Sequence, residues 1–475
     1  MAHASIVILT LALYFTGLVL IGAWASRRTA DHEDFFLGGR QLGPWVAAIS
    51  YASSASSAWT LLGLSGAAYV MGPSVVWVAL GSYTGMLVAW FWIGPRLNPH
   101  SLAHRQLTVT DFLAGEAGGS MRSAIVVTAS VIIILTFVFY VAAQFQGAGN
   151  TFASTFEMSS TAAVLLGAAI IMVYTLLGGF WAVSVTDTVQ GLLMAATAVL
   201  LPGAALVAVG GPAGLIEGLR AAGTPAFLSW TGGASGVVAL LVIGGGLGIG
   251  FGTYGQPHLL VRFMALRDMR ALRQARAITI AWYTIVFAGM CVLGLAGRLL
   301  VPGAENPETV FFTLTTDLFP PVLGAVLLAA VLSAIMSTAD SQLLVAASAV
   351  AHDLNPGRNA ADRALWRSRL AIVTIVIAAV AVALFLPERI FSRVLFAWNA
   401  LGAAFGPVVF LRLAGRSPAP VGVLASMLAG FTLSVVFYLL PNAPGDALER
   451  LAPFAIALVI ALALGRQPPE KESYS

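Results

Sequence analysis

Between Leu332 and Leu343 the chain reads Leu-Ser-Ala-Ile-Met-Ser-Thr-Ala-Asp-Ser-Gln-Leu, hydroxyls and one carboxylate set into an apolar run from about Pro321 to Val350. Runs of this length cross bilayers, and polar side chains in the middle of one are costly. On a helix turning by about 100° per residue, Ala334, Ser337, Thr338 and Ser341 share one face and Asp340 lies to its side. That face offers only oxygen, which suits a hard cation and not a transition metal. The chemistry expected there is the coordination of sodium. Hydroxyls on a membrane helix also bond their own i−4 carbonyls or tie neighbouring helices, but a carboxylate is not satisfied in that way.

Two other stretches must position such a site. Ser50-Tyr51-Ala52-Ser53-Ser54-Ala55-Ser56-Ser57-Ala58-Trp59 holds five serines in eight residues, and serines re-satisfy carbonyls freed where a membrane helix unwinds. Gly244-Gly245-Gly246-Leu247-Gly248-Ile249-Gly250-Phe251-Gly252-Thr253-Tyr254-Gly255-Gln256-Pro257 has too many glycines, and a proline, for a continuous helix. It contains a Gly-x-Gly pattern without the preceding strand of a dinucleotide loop, so that reading is set aside. The two stretches fall in the second and seventh apolar spans, five apart. They therefore open two five-span halves of opposite orientation, about 44–209 and 236–411, with 5–25, 420–440 and 450–465 peripheral. Interrupted helices in matching positions expose carbonyls to a cation and helix N-termini to an anion.

Of the 20 acidic residues, Asp187 and Asp340 are the two placed in or near buried sequence. Asp187 opens the sixth span, read as 185–209, where it is either an N-terminal cap or a second cation ligand facing Asp340 and Ser341.

A chain of 475 residues that is 59% hydrophobic and 9% charged is an integral membrane protein, all-α, read as one membrane domain over 1–475 with thirteen spans. The first span ends in Ala23-Trp24-Ala25, but no Lys or Arg precedes it and Arg27-Arg28 follow, so it is expected to be retained. Sorting the 24 basic residues onto alternating loops puts 19 on one side, Arg262 among them, and 5 on the other. The amino terminus is then outside and the carboxyl terminus cytoplasmic. The net charge of +4 reflects topology and gives no nucleic-acid signal. No Lys or Arg is placed deep in a span, no histidine at mid-membrane, and the lone Cys291 has no partner for a disulfide within the chain. Ser with His at mid-depth is absent, so the chain is read as a non-enzyme.

In order along the chain, Leu37-Gly38-Gly39-Arg40-x-Leu42-Gly43-Pro44, Gly178-Gly179-Phe180-x-Ala182-Val183-Ser184-x-Thr186-Asp187-Thr188-Val189-Gln190, Gly255-Gln256-Pro257-His258-x-Leu260-x-Arg262-Phe263-Met264-Ala265 and Met336-Ser337-Thr338-x-x-x-Gln342-Leu343-Leu344 appear. With Ala397-Trp398 through Phe405-Gly406-Pro407-Val408-Val409, this set resembles the sodium/solute symporter family, and within it the sodium/proline symporters, over roughly residues 5–465. The resemblance implies a leucine-transporter-type core of five plus five inverted repeats, working by alternating access in the cell (inner) membrane. It implies a sodium ion held by carbonyls of Ser53, Ser56 and Ala334 and hydroxyls of Ser337 and Thr338. A second sodium site found in some relatives maps onto Asp187, Ser337, Asp340 and Ser341. Proline symporters carry Asp where this chain has Ala55, and aromatic residues where it has Ile249 and Thr253. Ser57, Trp59, Tyr140, Gln144, Ile249, Thr253, Tyr254 and Gln256 are the substrate-site candidates.

The function expected is sodium-coupled uptake of a small organic solute, an amino acid such as proline or a small monocarboxylate. The alternative is a proton-coupled or uncoupled facilitator or channel. The partners expected are the solute and the lipid bilayer, with the chain a monomer or weak oligomer.

Overall fold

A computed structural model describes residues 2–26, 37–156, 158–177, 179–354, 361–386, 389–441 and 443–464. Arg27, Arg28 and Gly178, used above, lie outside the described residues. The described chain is helical, and its one β-contact is an isolated bridge between Leu42 and Leu266. Among the described residues, ten helical stretches are long and apolar enough to cross a membrane. The expected thirteen exceeds this number. One of the ten, Pro44–Ala103, runs across a break at Gly72-Pro73 and was read as two spans, while Ser160–Val173 and Ala447–Ala463 were read as spans but are shorter.

The helices that matter here are α1 (Ala2–Ser26), α2 (Pro44–Ala58), α3 (Ser65–Met71), α4 (Val76–Val88), α5 (Gly94–Ala103), α6 (Val109–Ala114), α7 (Gly119–Phe156) and α8 (Ser160–Leu177). They are followed by α9 (Phe180–Ala208), α10 (Gly211–Ala222), α11 (Pro225–Leu228), α12 (Gly236–Gly252), α13 (Pro257–Met264) and α14 (Met269–Leu300). The remainder are α15 (Val310–Leu318), α16 (Pro321–Ser348), α17 (Ala361–Phe385), α18 (Ile390–Leu413), α19 (Pro420–Leu439) and α20 (Ala447–Ala463).

Burial separates centre from rim. The apolar windows of α16 and α18 are 83% and 94% buried, whereas that of α1 is 17% buried. An apolar helix with all faces covered by protein is a core element, so α16 and α18 are the posts around which the others stand.

Both expected interruptions are present. Ser57 has φ 51° and ψ −173°, a conformation rare for a residue with a side chain, and it ends α2 as a regular helix. The chain then passes through a wide turn, Trp59–Leu64, into α3. In the seventh span α12 ends at Gly252, a tight turn covers Thr253–Gly255, and Gln256 is extended at φ −77°, ψ 107°. Pro257, whose missing N–H costs nothing at a helix start, opens α13.

The Arg-rich ends of the two broken helices are tied together. Leu42 N–H donates to Ala265 O at 3.1 Å and Arg267 N–H to Leu42 O at 3.3 Å. Arg40, held at φ 53° after Gly38 and Gly39, also at positive φ, donates to Met264 O at 2.9 Å and Gln106 O at 2.7 Å. This explains the Gly-Gly-Arg motif: the left-handed turn aims the guanidinium at carbonyls left free at a helix end. At the opposite end Glu308 accepts the N–H groups of Ile390 and Phe391 at 3.2 and 3.0 Å, satisfying the start of α18.

Candidate functional site

The serine run of α2 faces α9 and α16 along a fully buried seam. Ser50, Ser53, Ser54, Ser56, Ser57, Asp187, Ser337, Thr338 and Asp340 are all 0% exposed, and Ser341 is 3% exposed. Thr338 Oγ1 donates to Ser54 O at 3.0 Å, and Ser54 Oγ lies 2.9 Å from Ser337 O. These reciprocal bonds place the hydroxyl face of α16 against the helix that breaks at Ser57. Ser53 Oγ reaches Asp187 O at 3.2 Å, Ser337 Oγ reaches Ala334 O at 3.3 Å, and Ser56 O accepts Thr60 Oγ1 at 2.6 Å. The Ser56 hydroxyl has no partner among the described residues.

Asp187 lies in the second turn of α9, which begins at Phe180, so it does not cap that helix; Gly179 occupies the cap position. Its Oδ2 accepts from Ser50 Oγ at 2.9 Å and from Ser54 Oγ at 3.1 Å, with Ser341 Oγ at 3.5 Å. Arg262 Nη2 sits 2.7 Å from the same oxygen.

Arg262, which the sequence assigns to a loop, is buried within the protein although it lies outside the apolar stretch Gly236–Gly255. It is 1% exposed, because Pro257 restarts a helix just long enough to carry it inward from the loop to which it had been assigned. Removing one partner of such a buried pair costs roughly 3–5 kcal/mol, since the other charge is left without compensation. His258, just beyond the same apolar stretch, is buried as well. It is 0% exposed, and its ring lies edge-on to Phe137, Tyr140 and Trp398. Asp340 is buried on α16, and neither of its carboxylate oxygens has a hydrogen-bond partner among the described residues. No hydrogen bond joins it to Asp187, although Ser341, next to it, approaches that carboxylate.

Of the eight expected solute residues, six lie in the two interrupted spans and two, Tyr140 and Gln144, lie on α7. Gln144 Oε1 accepts the Ala58 N–H at 3.0 Å, closing the first orphan donor after the break, and the Ser57 hydroxyl accepts the Trp59 N–H at 3.1 Å. Tyr140, one turn before Gln144 on α7, packs its ring 6.4 Å from Trp398. The Trp59 ring stacks 6.1 Å from Phe391. Ile249 and Thr253 are buried in and after α12. Gln256 Nε2 donates to Gly252 O and Trp398 O at 2.9 and 3.0 Å, so the amide ties the second break to α18. The Tyr254 ring packs on Phe251 of α12, Phe410 of α18 and Phe454 of α20.

Several buried polar atoms on these elements are without partners. Among the described residues these include the donors Trp59 Nε1, Trp398 Nε1, Tyr140 Oη and Gln144 Nε2, and the acceptors Gln256 Oε1 and Asn399 Oδ1. Buried polar atoms in folded proteins are nearly all satisfied, so these atoms are open to a polar ligand or water. Sequence reasoning missed Ser50, Ser54, Arg262, His258, Trp398 and Asn399. Ser50 and Ser54 were legible as the remaining members of the serine run, one turn apart. Arg262, His258 and Trp398 stood inside matched motifs but were given no role.

The sequence model of the sodium:solute symporter family matches residues 35–430. The osmoregulated proline transporter OpuE of Bacillus subtilis is 35% identical over 480 residues, covering 98% of this chain and 96% of that protein. The sodium/proline symporter of Escherichia coli is 35% identical over 450 residues, covering 92% and 88%. The high-affinity proline transporter PutP of Bacillus subtilis is 32% identical over 459 residues, covering 93% and 96%. Among solved structures, a sodium-coupled sialic acid symporter in a substrate-bound outward-open state aligns with a TM-score of 0.79 at 17% identity, over 97% of this chain and 98% of that one. The inward-facing form of Mhp1 aligns with a TM-score of 0.54 at 14% identity, over 89% and 90%. These likenesses establish the leucine-transporter-type all-α fold. With sodium as coupling ion and solute symport as activity, this multi-pass membrane chain belongs to the sodium:solute symporter family.

Proposed function

We propose that the chain carries proline, or a zwitterion of similar size, into the cell together with sodium by alternating access. The observation that carries this reading is the set of buried, unpartnered donors between the two helix breaks. Trp59 Nε1, Trp398 Nε1, Tyr140 Oη and Gln144 Nε2 offer N–H and O–H groups to a carboxylate, while Gln256 Oε1 and Asn399 Oδ1 offer oxygen to an ammonium. The three curated relatives named above are proline transporters by name, which supports the same solute. Ala55, Ile249 and Thr253 leave less charge and less aromatic surface than the proline symporters present there, which favours a pocket shaped for a somewhat different small solute.

We assign sodium to Ser53, Ser56, Ala334, Ser337 and Thr338, beside the Ser54–Ser337 and Ser54–Thr338 hydrogen bonds that hold α2 against α16. An ion there joins the broken helix to α16 and completes the solute site, so each ligand raises the affinity for the other. A second ion is assigned to Asp187 and Ser341, with Asp340 beside them. The two halves, 44–209 and 236–411, rock about this seam in one membrane domain, with the amino terminus outside and the carboxyl terminus cytoplasmic. One charge moved inward at about −100 mV contributes roughly 2.3 kcal/mol, which drives uptake.

The test is uptake of a labelled panel (proline, other small amino acids, monocarboxylates) into proteoliposomes with and without an inward sodium gradient. Gradient-dependent accumulation of proline or a small zwitterion is expected. Flux indifferent to sodium would overturn the reading.

A further inference from the structure

Arg262 stands on the oxygens assigned to the second cation. Its Nη2 lies 2.7 Å from Asp187 Oδ2, 2.7 Å from Ser341 Oγ and 2.6 Å from Ser54 Oγ, and its Nε lies 2.8 Å from Ser50 Oγ. Nη1 turns back to the carbonyl of His258 on its own helix. Arg262, Asp187, Ser50, Ser54 and Ser341 are each at most 3% exposed. A sodium ion held by Asp187 Oδ2 and Ser341 Oγ would occupy the space that the guanidinium fills, so on that oxygen the two exclude one another; Asp187 Oδ1 has no hydrogen-bond partner among the described residues.

We propose that Arg262 is a tethered counter-ion that takes the place of the cation on Asp187 when the carrier travels without cargo. A transporter must return empty after releasing its ions, and a bare buried carboxylate opposes that step because nothing compensates its charge. Arg262 supplies the charge from within the chain. It is mounted on α13, a short helix that begins after the extended Gln256 and is tied to the α2 entry by the Leu42–Ala265 and Arg40–Met264 bonds. Movement of that helix therefore withdraws the guanidinium from Asp187 and opens the site to an ion. Net uptake requires the empty return; exchange of labelled for unlabelled solute, with sodium saturating on both sides, does not.

This inference rests on the assignment of Asp187 as a cation ligand, and the experiment separates the two. Arg262→Gln in proteoliposomes is expected to lower net sodium-driven uptake by at least tenfold while exchange stays within about threefold of wild type. The double variant Arg262→Gln/Asp187→Asn, which removes the stranded charge, is expected to regain the net-to-exchange ratio. Equal loss of both activities in an inserted Arg262→Gln protein, or full net uptake, overturns the proposal. Should Arg262→Gln fail to insert, the ratio is read on Arg262→Lys, which keeps the charge but reaches fewer of the oxygens: a fall in net uptake greater than the fall in exchange is expected, and equal falls overturn it. If Asp187 is not a cation ligand, Asp187→Asn alone leaves the sodium dependence of exchange unchanged. That result defeats the underlying assignment whatever Arg262 does.

Discussion

Gln144 accepts the amide of Ala58 at 3.0 Å from a helix 86 residues away in sequence, one residue after the left-handed Ser57. The break in α2 is thus held open by a side chain of α7, and the same amide keeps its Nε2 free for a ligand.

Replacing Gln144 by Ala leaves that buried N–H without a partner, at a cost of about 1–3 kcal/mol. Gln144→Ala is expected to raise the solute KM by roughly tenfold or more. Gln144→Glu keeps the acceptor and is expected to lose less. Uptake measured at saturating sodium against solute concentration checks both.

Thr338 Oγ1 bridges α16 to the Ser54 carbonyl, and the Ser337 hydroxyl, one residue before it, bonds the Ala334 carbonyl. Thr338→Ala and Ser337→Ala are expected to raise the sodium concentration for half-maximal uptake by roughly fivefold or more, from the loss of one hydrogen-bonding oxygen. An unchanged sodium curve in proteoliposomes would count against the placement of the first ion.

A methyl group on Gly252 would stand 1.8 Å from Trp398 Cδ1, so the indole lies directly on the backbone at the end of α12. Gly252→Ala must displace the ring, and overpacking of this kind costs about 1–3 kcal/mol. The expected outcome is a lower melting temperature in detergent and a larger loss in solute affinity than in sodium affinity, read from the two titration curves.

Glu308 lies outside the spans, and burial pushes its carboxyl above the ordinary value of 4.5, against the opposing pull of the Phe391 and Ile390 amides and of Arg389 and Arg393. The folded state therefore keeps a proton that the unfolded chain has already released. The stability contributed by this group is fully present below 4.5 and is lost as pH rises through the raised value. The melting temperature of wild type minus that of Glu308→Gln is expected to fall over that window and then level off; a difference that rises with pH would refute the sign.

The architecture was legible because a bilayer imposes simple rules on sequence. Apolar runs located the spans, and glycine, serine and proline clusters located both interruptions, at Ser57 and at Gln256-Pro257. The hydroxyl face of α16 was legible from helical periodicity. Arg262 was not, because sorting charges onto loops takes every arginine near a span end as solvated, and only the geometry of a restarted helix shows one turned inward. The role of Gln256 was equally hidden: the sequence shows an amide at a break, while its partner, the Trp398 carbonyl, is 142 residues away. The sequence places Tyr254 next to the break but does not show which side of the turn its ring faces; it packs on Phe410.

The seam between α2, α9 and α16 is fastened almost wholly by small alcohols. A serine moves its oxygen by turning about one bond, so each fastening can pass from a protein oxygen to water or to an ion without any neighbour changing shape. Leucines in the same places would have to leave a hole before the helices parted, and that cost would fall in one step. Here separation divides into several small exchanges, which lets a joint be dry when shut and still come apart on the timescale of a transport cycle.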